Sequence, residues 1–443
     1  MTEAEKKKEA ELVKSSFYHG LLPREDIKEM AAEPGDFLVR MTEPSKPGHR
    51  EFVVSVCTDN KKNLKHFVVS KNKEGKFKLM DKKTFDSIPE LVANYQKEEI
   101  QKEPLIVLKK VIPKQRWELS HSDINLTKKL GEGAFGEVHK GKLKWTRRNG
   151  EKKTVDVAVK QAKLDAMTKE QVKEFMREAR LMRKLDHPNV VRMYGVAAAE
   201  EPLMLVMELA SDGALDSYLS KNELAGDKKT EMVVQAAWGI EYLHEKNLLH
   251  RDIAARNCLF GNGQLKLADF GLSRIGETYQ MNPKNRVPIR WLAPETLRTA
   301  AYSRKTDVWS YGRGLDLRPH PHLLAGVLVW EIYNNGTDPY NPMTIAEVLK
   351  FVKGGNHLDI KEKAPNKEIA EMIESTCFVF DAAKRWSMKE IVAAFEKITK
   401  IENGSNVKDE SSYTPSAIDP SVHLKSAEPT PDVEVKEMSV IDK

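Results

Sequence analysis

Short apolar runs separated by polar turns mark the first quarter of the chain. Residues 1–16 are mostly Lys, Glu and Ala, which favours a frayed helix or a disordered, charged N-terminus. From residue 17 to about 112, the apolar runs predict strands, and apolar residues at helical spacing predict helices. The predicted strands cover residues 36–40, 50–56 and 64–69, and the predicted helices cover residues 23–30 and 88–95. This pattern indicates a small α+β domain.

A second, larger domain is expected at residues 124–398, after a linker at residues 113–123. It begins with strand-like patterns and continues with amphipathic helical ones. Its predicted elements include strands at 157–160, 203–210 and 264–267, and helices at 170–185 and 232–248. Residues 399–443 are rich in Ser, Pro, Asp and Glu with few large apolar residues, which predicts a disordered tail.

Charge and cysteine content exclude several classes of function. The 443 residues carry a formal net charge of +6 that is spread over Lys/Glu-rich stretches, so nucleic-acid binding is not predicted. The three cysteines, Cys57, Cys258 and Cys377, lack metal-ligand spacing and indicate reduced thiols. No apolar run reaches the roughly 18 residues of a membrane span, and the N-terminus has no signal-peptide core. We therefore expect a cytoplasmic protein without a transmembrane segment.

The most informative stretch is a polar loop, His-Arg-Asp-Ile-Ala-Ala-Arg-Asn, at residues 250–257. Asp252 and Asn257 lie five positions apart in it, and the next acidic loop residue is Asp269, in an Asp-Phe-Gly turn. A carboxylate that orients a hydroxyl, with amide and carboxylate oxygens that hold Mg²⁺, is what phosphoryl transfer requires. Either segment alone is more simply a polar turn. Together, in this order, they predict a phosphoryl-transfer site.

A glycine-rich segment at residues 130–138 has the form G-x-G-x-x-G-x-V. The apolar strand that follows it carries Lys160, which needs an acidic partner if buried, and the next helix offers Glu178. Glycines let the backbone approach phosphates, Lys160 would bridge them, and Glu178 would orient Lys160. A dinucleotide-binding fold is the rival interpretation of the glycines. It requires a helix after the turn, whereas residues 137–141 continue as strand.

These motifs resemble those of protein kinases, and the Ala-Ala-Arg-Asn ending of the loop resembles tyrosine kinases. The Pro-Ile-Arg-Trp segment at 288–291 resembles the tyrosine-kinase substrate shelf, so a tyrosine phenol is the expected acceptor. Glu295, in Ala-Pro-Glu, is expected to pair with Arg385.

The kinase resemblance implies a bilobal kinase fold, ATP and Mg²⁺ as cofactors, and a set of site residues. The implied catalytic residues are Asp252, Lys160, Glu178, Arg256 and Asn257, and the implied metal ligands are Asn257 and Asp269. The implied ATP-binding residues are Leu130, Gly131, Glu132, Gly133, Ala134, Phe135, Gly136, Glu137, Val138, Ala158, Lys160, Met207, Glu208 and Ala210.

The interval between Asp269 and Glu295 resembles a kinase activation segment, and Tyr279 lies in its middle. Tyr279 is the predicted phosphorylation site, with Arg251 and either Lys284 or Arg286 as partners for its phosphate. The plainer interpretation is an exposed loop tyrosine.

The first domain, residues 17–112, resembles an SH2 domain. Arg40 ends an otherwise apolar strand, where it would be half-buried; in that family this arginine forks onto two phosphate oxygens of phosphotyrosine. A structural salt bridge is the plainer role. The implied phosphotyrosine-binding residues are Arg24, Arg40, Ser45 and His66. Phe17 replaces the usual Trp, and Val68 stands where some relatives have Lys, so the pocket relies on Arg24 and Arg40.

An SH2-like domain before a kinase-like domain, together with the linker at 113–121, is most similar to the Fes/Fer family of non-receptor tyrosine kinases. The resemblance implies transfer of the ATP γ-phosphate to tyrosine in protein substrates. It also implies recruitment to phosphotyrosine proteins. The protein is then expected in the cytoplasm, and at the plasma membrane where it binds phosphotyrosine partners. The alternative is a binding module, a catalytically impaired kinase fold that acts as a phosphotyrosine adaptor. The presence of every catalytic position favours the enzyme.

Residues 313–326 are unexpected within the kinase-like domain. Their flanks, 306–312 and 327–332, resemble one uninterrupted buried helix in kinases. The insert places Pro319 and Pro321 inside that helix, where each proline costs about 3 kcal/mol. Our hypothesis is that residues 313–326 come from a short in-frame intron retained in a gene model. The working protein would then lack them. The alternative is a genuine loop that disables the domain and leaves an adaptor.

Overall fold

The fold is known from a computed structural model, which describes residues 3–42, 50–80, 83–133, 136–146, 150–163, 167–282, 287–312, 327–354, 356, 363–377 and 379–403. The chain divides into two compact units, Met1–Arg183 with Met193–Leu209, and Lys184–Arg192 with Ala210–Lys443. The helices of the first unit are α1 (Glu3–Lys14), α2 (Arg24–Met30), α3 (Ile88–Tyr95) and α4 (Lys169–Met182), with a 3₁₀ turn at His121–Asp123. Its strands are β1 (Tyr18–Leu21), β2 (Asp36–Thr42), β3 (Glu51–Cys57), β4 (Leu64–Lys71), β5 (Phe77–Leu79), β6 (Thr84–Phe85), β7 (Lys110–Val111), β8 (Ile124–Gly133), β9 (Gly136–Thr146), β10 (Lys152–Ala162), β11 (Met193–Ala197) and β12 (Leu203–Glu208).

The α+β region predicted at residues 17–112 contains a seven-stranded sheet of order β1–β2–β3–β4–β5–β6, with β7 pairing β2. The predicted strands at 36–40, 50–56 and 64–69 are confirmed as β2, β3 and β4. Pro23 is the N-cap of α2, and the Ser87 side chain caps α3 by accepting a bond from the Glu90 amide. Both predicted helices are confirmed because these start signals are local in sequence.

Of the two expectations for the N-terminal segment, a frayed helix and a disordered segment, the structure shows the helix. Residues 3–14 form helix α1, and Leu12 on it is only 4% exposed in the apolar core of the sheet. Burial of Leu12 stabilises the packing of this otherwise charged helix, because burying a Leu side chain contributes about 1.5–3 kcal/mol to the free energy of folding.

A second sheet in the first unit has five strands in the order β11–β12–β10–β9–β8. Strand β10 is antiparallel to both β9 and β12, so both edges of the strand that carries Lys160 are hydrogen-bonded. Helix α4 begins with a capping box, in which the Thr168 side chain accepts from the Gln171 amide and the Gln171 side chain accepts from the Thr168 amide. This cap fixes where α4 starts and therefore which of its residues face the sheet.

The second unit is mostly helical. Its helices are α5 (Leu215–Lys221), α6 (Gly226–Glu245), α7 (Pro294–Thr299), α8 (Arg304–Tyr311), α9 (Val327–Tyr333), α10 (Ile345–Lys353), α11 (Lys367–Thr376) and α12 (Met388–Thr399). Its strands are β13 (Gly213–Ala214), β14 (Leu248–Leu249), β15 (Cys258–Gly261), β16 (Gln264–Leu267), β17 (Arg274–Ile275), β18 (Thr278–Gln280) and β19 (Ala301–Ser303). Short 3₁₀ turns lie at Ala255–Asn257, Ile289–Trp291 and Ala382–Lys384. Helix α6 is buried along most of its length, as expected for a central helix.

The two flanks of the unexpected insert are separate helices. Helix α8 ends at Tyr311, and Gly312 caps it in an extended conformation with φ −154° and ψ 141°. Helix α9 begins at Val327. The insert itself, residues 313–326, lies outside the described residues, and so do residues 404–443 of the predicted tail.

Candidate active site and anion-binding pocket

Lys160 on β10 and Glu178 on α4 form a close ion pair in the first unit. The Lys160 Nζ donates to both carboxylate oxygens of Glu178, at 2.8 and 3.0 Å. The side chains are 12% and 3% exposed. Leaving either charge alone at this depth would cost several kcal/mol, so each residue requires the other. The structure confirms the predicted ion pair between Lys160 and Glu178.

The glycine-rich segment is the turn of a hairpin between β8 and β9. These strands are antiparallel, with Gly131 opposite Val138 and Gly133 opposite Gly136. A strand follows the turn, so the dinucleotide-binding interpretation is wrong. Gly136 has φ +148°, and a Cβ there would lie 2.4 Å from the Gln161 carbonyl oxygen, so only glycine fits.

The other residues predicted to bind ATP fall in both units. In the first unit, Leu130 is 49% exposed and Ala158 is buried. Glu132 and Glu137 both accept from Lys129 Nζ, at 2.6 and 3.1 Å. Strands β10 and β12 place Ala158 opposite Met207. Met207 and Glu208 are half-buried, as is Ala210 in the second unit. Ala134 and Phe135 lie outside the described residues.

The predicted catalytic loop in the second unit is ordered by its own side chains. The Asn257 Nδ2 donates to the Asp252 carbonyl at 2.9 Å, and the Arg256 Nη2 donates to the Asp252 Oδ1 at 2.5 Å. Burial raises the pKa of Asp252, and the positive charge of Arg256 opposes this rise. Asp269, with φ +54°, contributes a further rise to the Asp252 pKa through its negative charge. These residues therefore form one electrostatically coupled group.

Two buried carboxylates that the sequence did not single out hold this loop. Asp307 on α8 accepts from the amides of His250 and Arg251, at 2.9 and 2.8 Å. Glu331 on α9 accepts from the Ala255 amide at 2.9 Å, and burial raises its pKa to about 8. The carboxylates come from the helices on the two sides of the insert. Both flanks therefore support the predicted catalytic loop.

The predicted magnesium ligands fit the chemistry of that ion. Asn257 and Asp269 offer amide and carboxylate oxygens, which are the hard donors that Mg²⁺ prefers. Mg²⁺ commonly takes only one or two protein ligands beside phosphate oxygens and water. In the residues that the structure describes, no group of three or more His, Cys, Asp or Glu side chains could hold a metal ion. A site shared with nucleotide phosphates needs no such group.

Tyr279 on β18 packs against arginines. The Arg251 guanidinium lies 4.2 Å from the Tyr279 ring centre, and the Arg274 guanidinium lies 5.3 Å from it. Burial lowers the pKa of Arg251 from its ordinary value. Arg274 was not predicted as a partner of Tyr279, whereas the predicted candidates Lys284 and Arg286 lie outside the described residues.

The predicted pair of Glu295 and Arg385 is confirmed as a bidentate ion pair. The two guanidinium nitrogens of Arg385 donate to the two carboxylate oxygens of Glu295, at 2.5 and 2.7 Å. Arg385 is 2% exposed, so this fork satisfies a charge that would otherwise be buried alone.

Arg40 forms the base of a cavity in the first unit. It is 2% exposed and thus fully buried, where half burial was expected, because the sheet and α2 enclose it. Its Nε donates to the Ser55 Oγ at 3.2 Å and its Nη1 to the Leu22 carbonyl at 3.1 Å, while its Nη2 has no hydrogen-bond partner among the described residues. Burial, with the charge of Arg24, lowers the pKa of Arg40 to about 10, so it stays charged at neutral pH.

The other predicted pocket residues surround the same cavity. It has a volume of about 540 Å³, and Arg24 and His66 line it. Burial and the charges of Arg40 and Arg24 lower the pKa of His66 to about 4, so its ring is neutral at pH 7. Ser45 lies outside the described residues. An unsatisfied buried guanidinium nitrogen in a cavity with a second arginine fits an anionic ligand.

Helix α2 is joined to helix α4 by buried charges that the sequence did not predict. Asp26, 1% exposed, accepts from the Arg180 Nη2 at 2.8 Å and forms an ion pair with the Arg183 Nη1 at 2.9 Å. The Arg183 guanidinium also lies 4.8 Å from the Trp117 ring centre. Trp117 therefore packs beside this cluster of charges.

Comparisons with known proteins agree with this geometry. A family model described as protein tyrosine and serine/threonine kinase matches residues 124–395, and an SH2 domain model matches residues 17–95. The chain therefore belongs to the protein kinases and carries an SH2 domain ahead of its kinase domain. This confirms the α+β class and the predicted order, in which an SH2 domain precedes a kinase fold with a sheet-rich first part and a helical second part.

The relatives narrow the family further. Fer-related kinase 1 of Caenorhabditis elegans is 35% identical over 381 residues, which are 85% of this chain and 92% of that kinase. Human tyrosine-protein kinase Fer is 36% identical over 391 residues, which are 86% of this chain and 44% of Fer. The transforming protein Fps of avian sarcoma virus PRCII is 32% identical over 382 residues, 84% of this chain and 66% of Fps. The chain belongs to the Fer-type tyrosine kinases with an SH2 domain, and it spans less than half of human Fer.

Proposed function

We propose that the chain transfers the γ-phosphate of ATP to tyrosine side chains of proteins, and that its SH2 domain recruits it to phosphotyrosine partners. The observation that carries the proposal is the formed Lys160–Glu178 ion pair, because this pair orients the lysine that binds ATP phosphates in kinases. The test is phosphate transfer to tyrosine by the purified chain, with Asp252→Asn as the inactive control.

Each residue of the catalytic loop has a role that follows from its contacts. Asp252 accepts from Arg256 through one carboxylate oxygen, which leaves the other to orient the acceptor phenol. Asn257 holds the loop through the Asp252 carbonyl and offers its own amide oxygen, with Asp269, to Mg²⁺. When bound, Mg²⁺ neutralises the charge that develops on the phosphates. Arg256 stacks on the Trp291 ring at 3.9 Å, which positions the tyrosine-kinase type of loop against its substrate shelf.

The adaptor alternative rests on the idea that the insert disables the domain. Asp307 and Glu331, one on each flank of the insert, both hold the amides of the catalytic loop. Those contacts support an intact loop and favour the enzyme. We propose that the chain works in the cytoplasm and reaches the plasma membrane through such partners. Among the described residues, no helix has the length and apolar character to cross a membrane.

Replacing Tyr279 by Phe is expected to prevent a rise in activity of about tenfold that wild type gains after preincubation with ATP. A phosphate on Tyr279 adds a charge of about −1.5 to −2, which the nearby guanidiniums of Arg251 and Arg274 can bind. Initial rates before and after preincubation measure the effect. The matched control is Tyr413→Phe in the C-terminal tail, which should activate like wild type. Equal activation of Tyr279→Phe and wild type would place the switch elsewhere.

Deleting residues 313–326 is expected to raise the melting temperature by about 4–8 °C without lowering activity. Closing a loop of this length costs about 2 kcal/mol of chain entropy, and 1 kcal/mol shifts the melting temperature of such a domain by about 2–4 °C. Thermal unfolding and tyrosine phosphorylation are measured beside a control deletion of residues 404–443. A lower melting temperature or lost activity would make the insert an integral part of the domain. The presence of its codons in most mature transcripts would likewise refute the intron hypothesis.

A further inference from the structure

The cavity above Arg40 has a wall that does not come from the SH2 domain. Strands β2, β3 and β4 and the start of α2 form most of the lining. The remaining lining residues are Lys169, Val172 and Lys173, from the first turn and a half of α4 in the kinase domain. All of these residues belong to the first unit. The cavity that fits a phosphotyrosine is therefore a composite of two domains.

On the β4 side of the cavity, the SH2 domain supplies no cation. Val68 on β4 lines the cavity two residues after His66, and it is 48% exposed. His66 is neutral at pH 7 because its pKa is lowered to about 4. Two acids, Glu25 and Glu51, also line the cavity. The domain thus brings two arginines, two acids and one neutral histidine to a ligand that carries nearly two negative charges.

Two lysines of α4 line the same cavity. Lys169 and Lys173 are both exposed, and neither forms an ion pair with another described residue. They lie four positions apart and so share one face of the helix. The capping box at Thr168 fixes the start of α4, and the Asp26 ion pairs with Arg180 and Arg183 hold the helix beside α2. Both lysines are therefore held at the mouth of the cavity.

We propose that Lys169 and Lys173 are phosphotyrosine-binding residues that supply the cation missing at Val68. The inference rests on the proposed function of the SH2 domain as a phosphotyrosine-binding module. It assigns the phosphate of the ligand a second set of donors, on the kinase domain, in addition to Arg24 and Arg40. The complete site exists only in the chain that contains both domains.

The test is a titration of the full chain with a fluorescent phosphotyrosine peptide, followed by anisotropy. The double variant Lys169→Gln/Lys173→Gln is expected to raise the Kd roughly fivefold, the size of effect that two partly exposed charge contacts give. The control Lys144→Gln/Lys153→Gln removes two exposed lysines of the same unit that do not line the cavity, and its Kd should equal that of wild type. An equal rise in Kd for both double variants would show that only the overall charge of the protein matters. That result would overturn the proposal.

A rescue separates a local contact from a loss of structure. Adding Val68→Lys to the Lys169→Gln/Lys173→Gln variant is expected to restore most of the lost affinity, because the cation returns on β4 at the same cavity. If Lys169→Gln/Lys173→Gln binds with the wild-type Kd while Arg40→Lys abolishes binding, the proposed role of α4 is overturned. The SH2 function would still stand. Unchanged binding in Arg40→Lys would instead show that the SH2 pocket itself is misassigned.

Discussion

Replacing Lys160 by Met is expected to lower the rate of tyrosine phosphorylation by about 100- to 10,000-fold. The lysine offers charge-assisted hydrogen bonds to ATP phosphates, each worth about 1.5–3 kcal/mol, and two such bonds give this range. The Glu178 side chain, 3% exposed, then loses its partner, so weaker ATP binding and some loss of stability are expected together. The matched control is Lys153→Met, at an exposed lysine of the same strand.

Asp252→Asn distinguishes a defect in chemistry from a defect in nucleotide binding. This variant should lose about 10²- to 10⁴-fold in rate and bind ATP like wild type, because Asp252 acts on the acceptor hydroxyl. ATP affinity is measured by titration with a fluorescent nucleotide. Wild-type turnover by either Lys160→Met or Asp252→Asn would refute the assignment of these catalytic roles.

Arg40→Lys is expected to raise the Kd for a phosphotyrosine peptide by at least about a hundredfold. Arginine uses Nε and Nη1 to hold Ser55 and Leu22 and still has Nη2 free for a phosphate oxygen. A lysine ammonium keeps the charge but lacks the three separate nitrogens with which the guanidinium can reach Ser55, Leu22 and a phosphate oxygen together. Because residue 40 is buried, a lysine at this position is expected to destabilise the folded domain. The melting temperature of each variant must therefore be measured as well.

Arg50→Lys is the matched control for this substitution. Arg50 lies in the same domain, does not line the cavity and pairs with Glu201. Its affinity for the phosphopeptide should equal that of wild type. If Arg40→Lys is folded and binds with unchanged affinity, Arg40 has only a structural role.

Much of this site follows from local sequence patterns. Lys160 and Glu178 are recognisable because a lysine on an apolar strand needs a partner, and the helix after it supplies one acid at the right place. The hairpin at Gly131–Gly136 follows from the strand pattern on both sides of the glycines. Pro23 marks the start of α2, and the helical spacing of apolar residues indicates α3, which is why those helices were predicted well.

The residues that the sequence did not single out act through contacts far along the chain. Asp307 and Glu331 hold the catalytic loop from 56 and 76 residues away. Asp26 meets Arg180 across 154 residues. No spacing rule links such positions, because the packing of helices brings them together. The sequence could not decide between a frayed helix and disorder for α1, since a single buried leucine leaves almost no pattern.

The most direct test of the central claim is transfer of phosphate to tyrosine by the purified chain with ATP and Mg²⁺. Two matched peptides, one with tyrosine and one with serine at the acceptor position, are assayed with wild type, with Asp252→Asn and with the form that lacks residues 313–326. We predict Mg²⁺-dependent phosphotyrosine on the first peptide, none on the serine peptide, and loss of the signal in Asp252→Asn. No transfer by wild type or by the deletion form, with phosphopeptide binding intact, would contradict the enzyme and identify the chain as an adaptor.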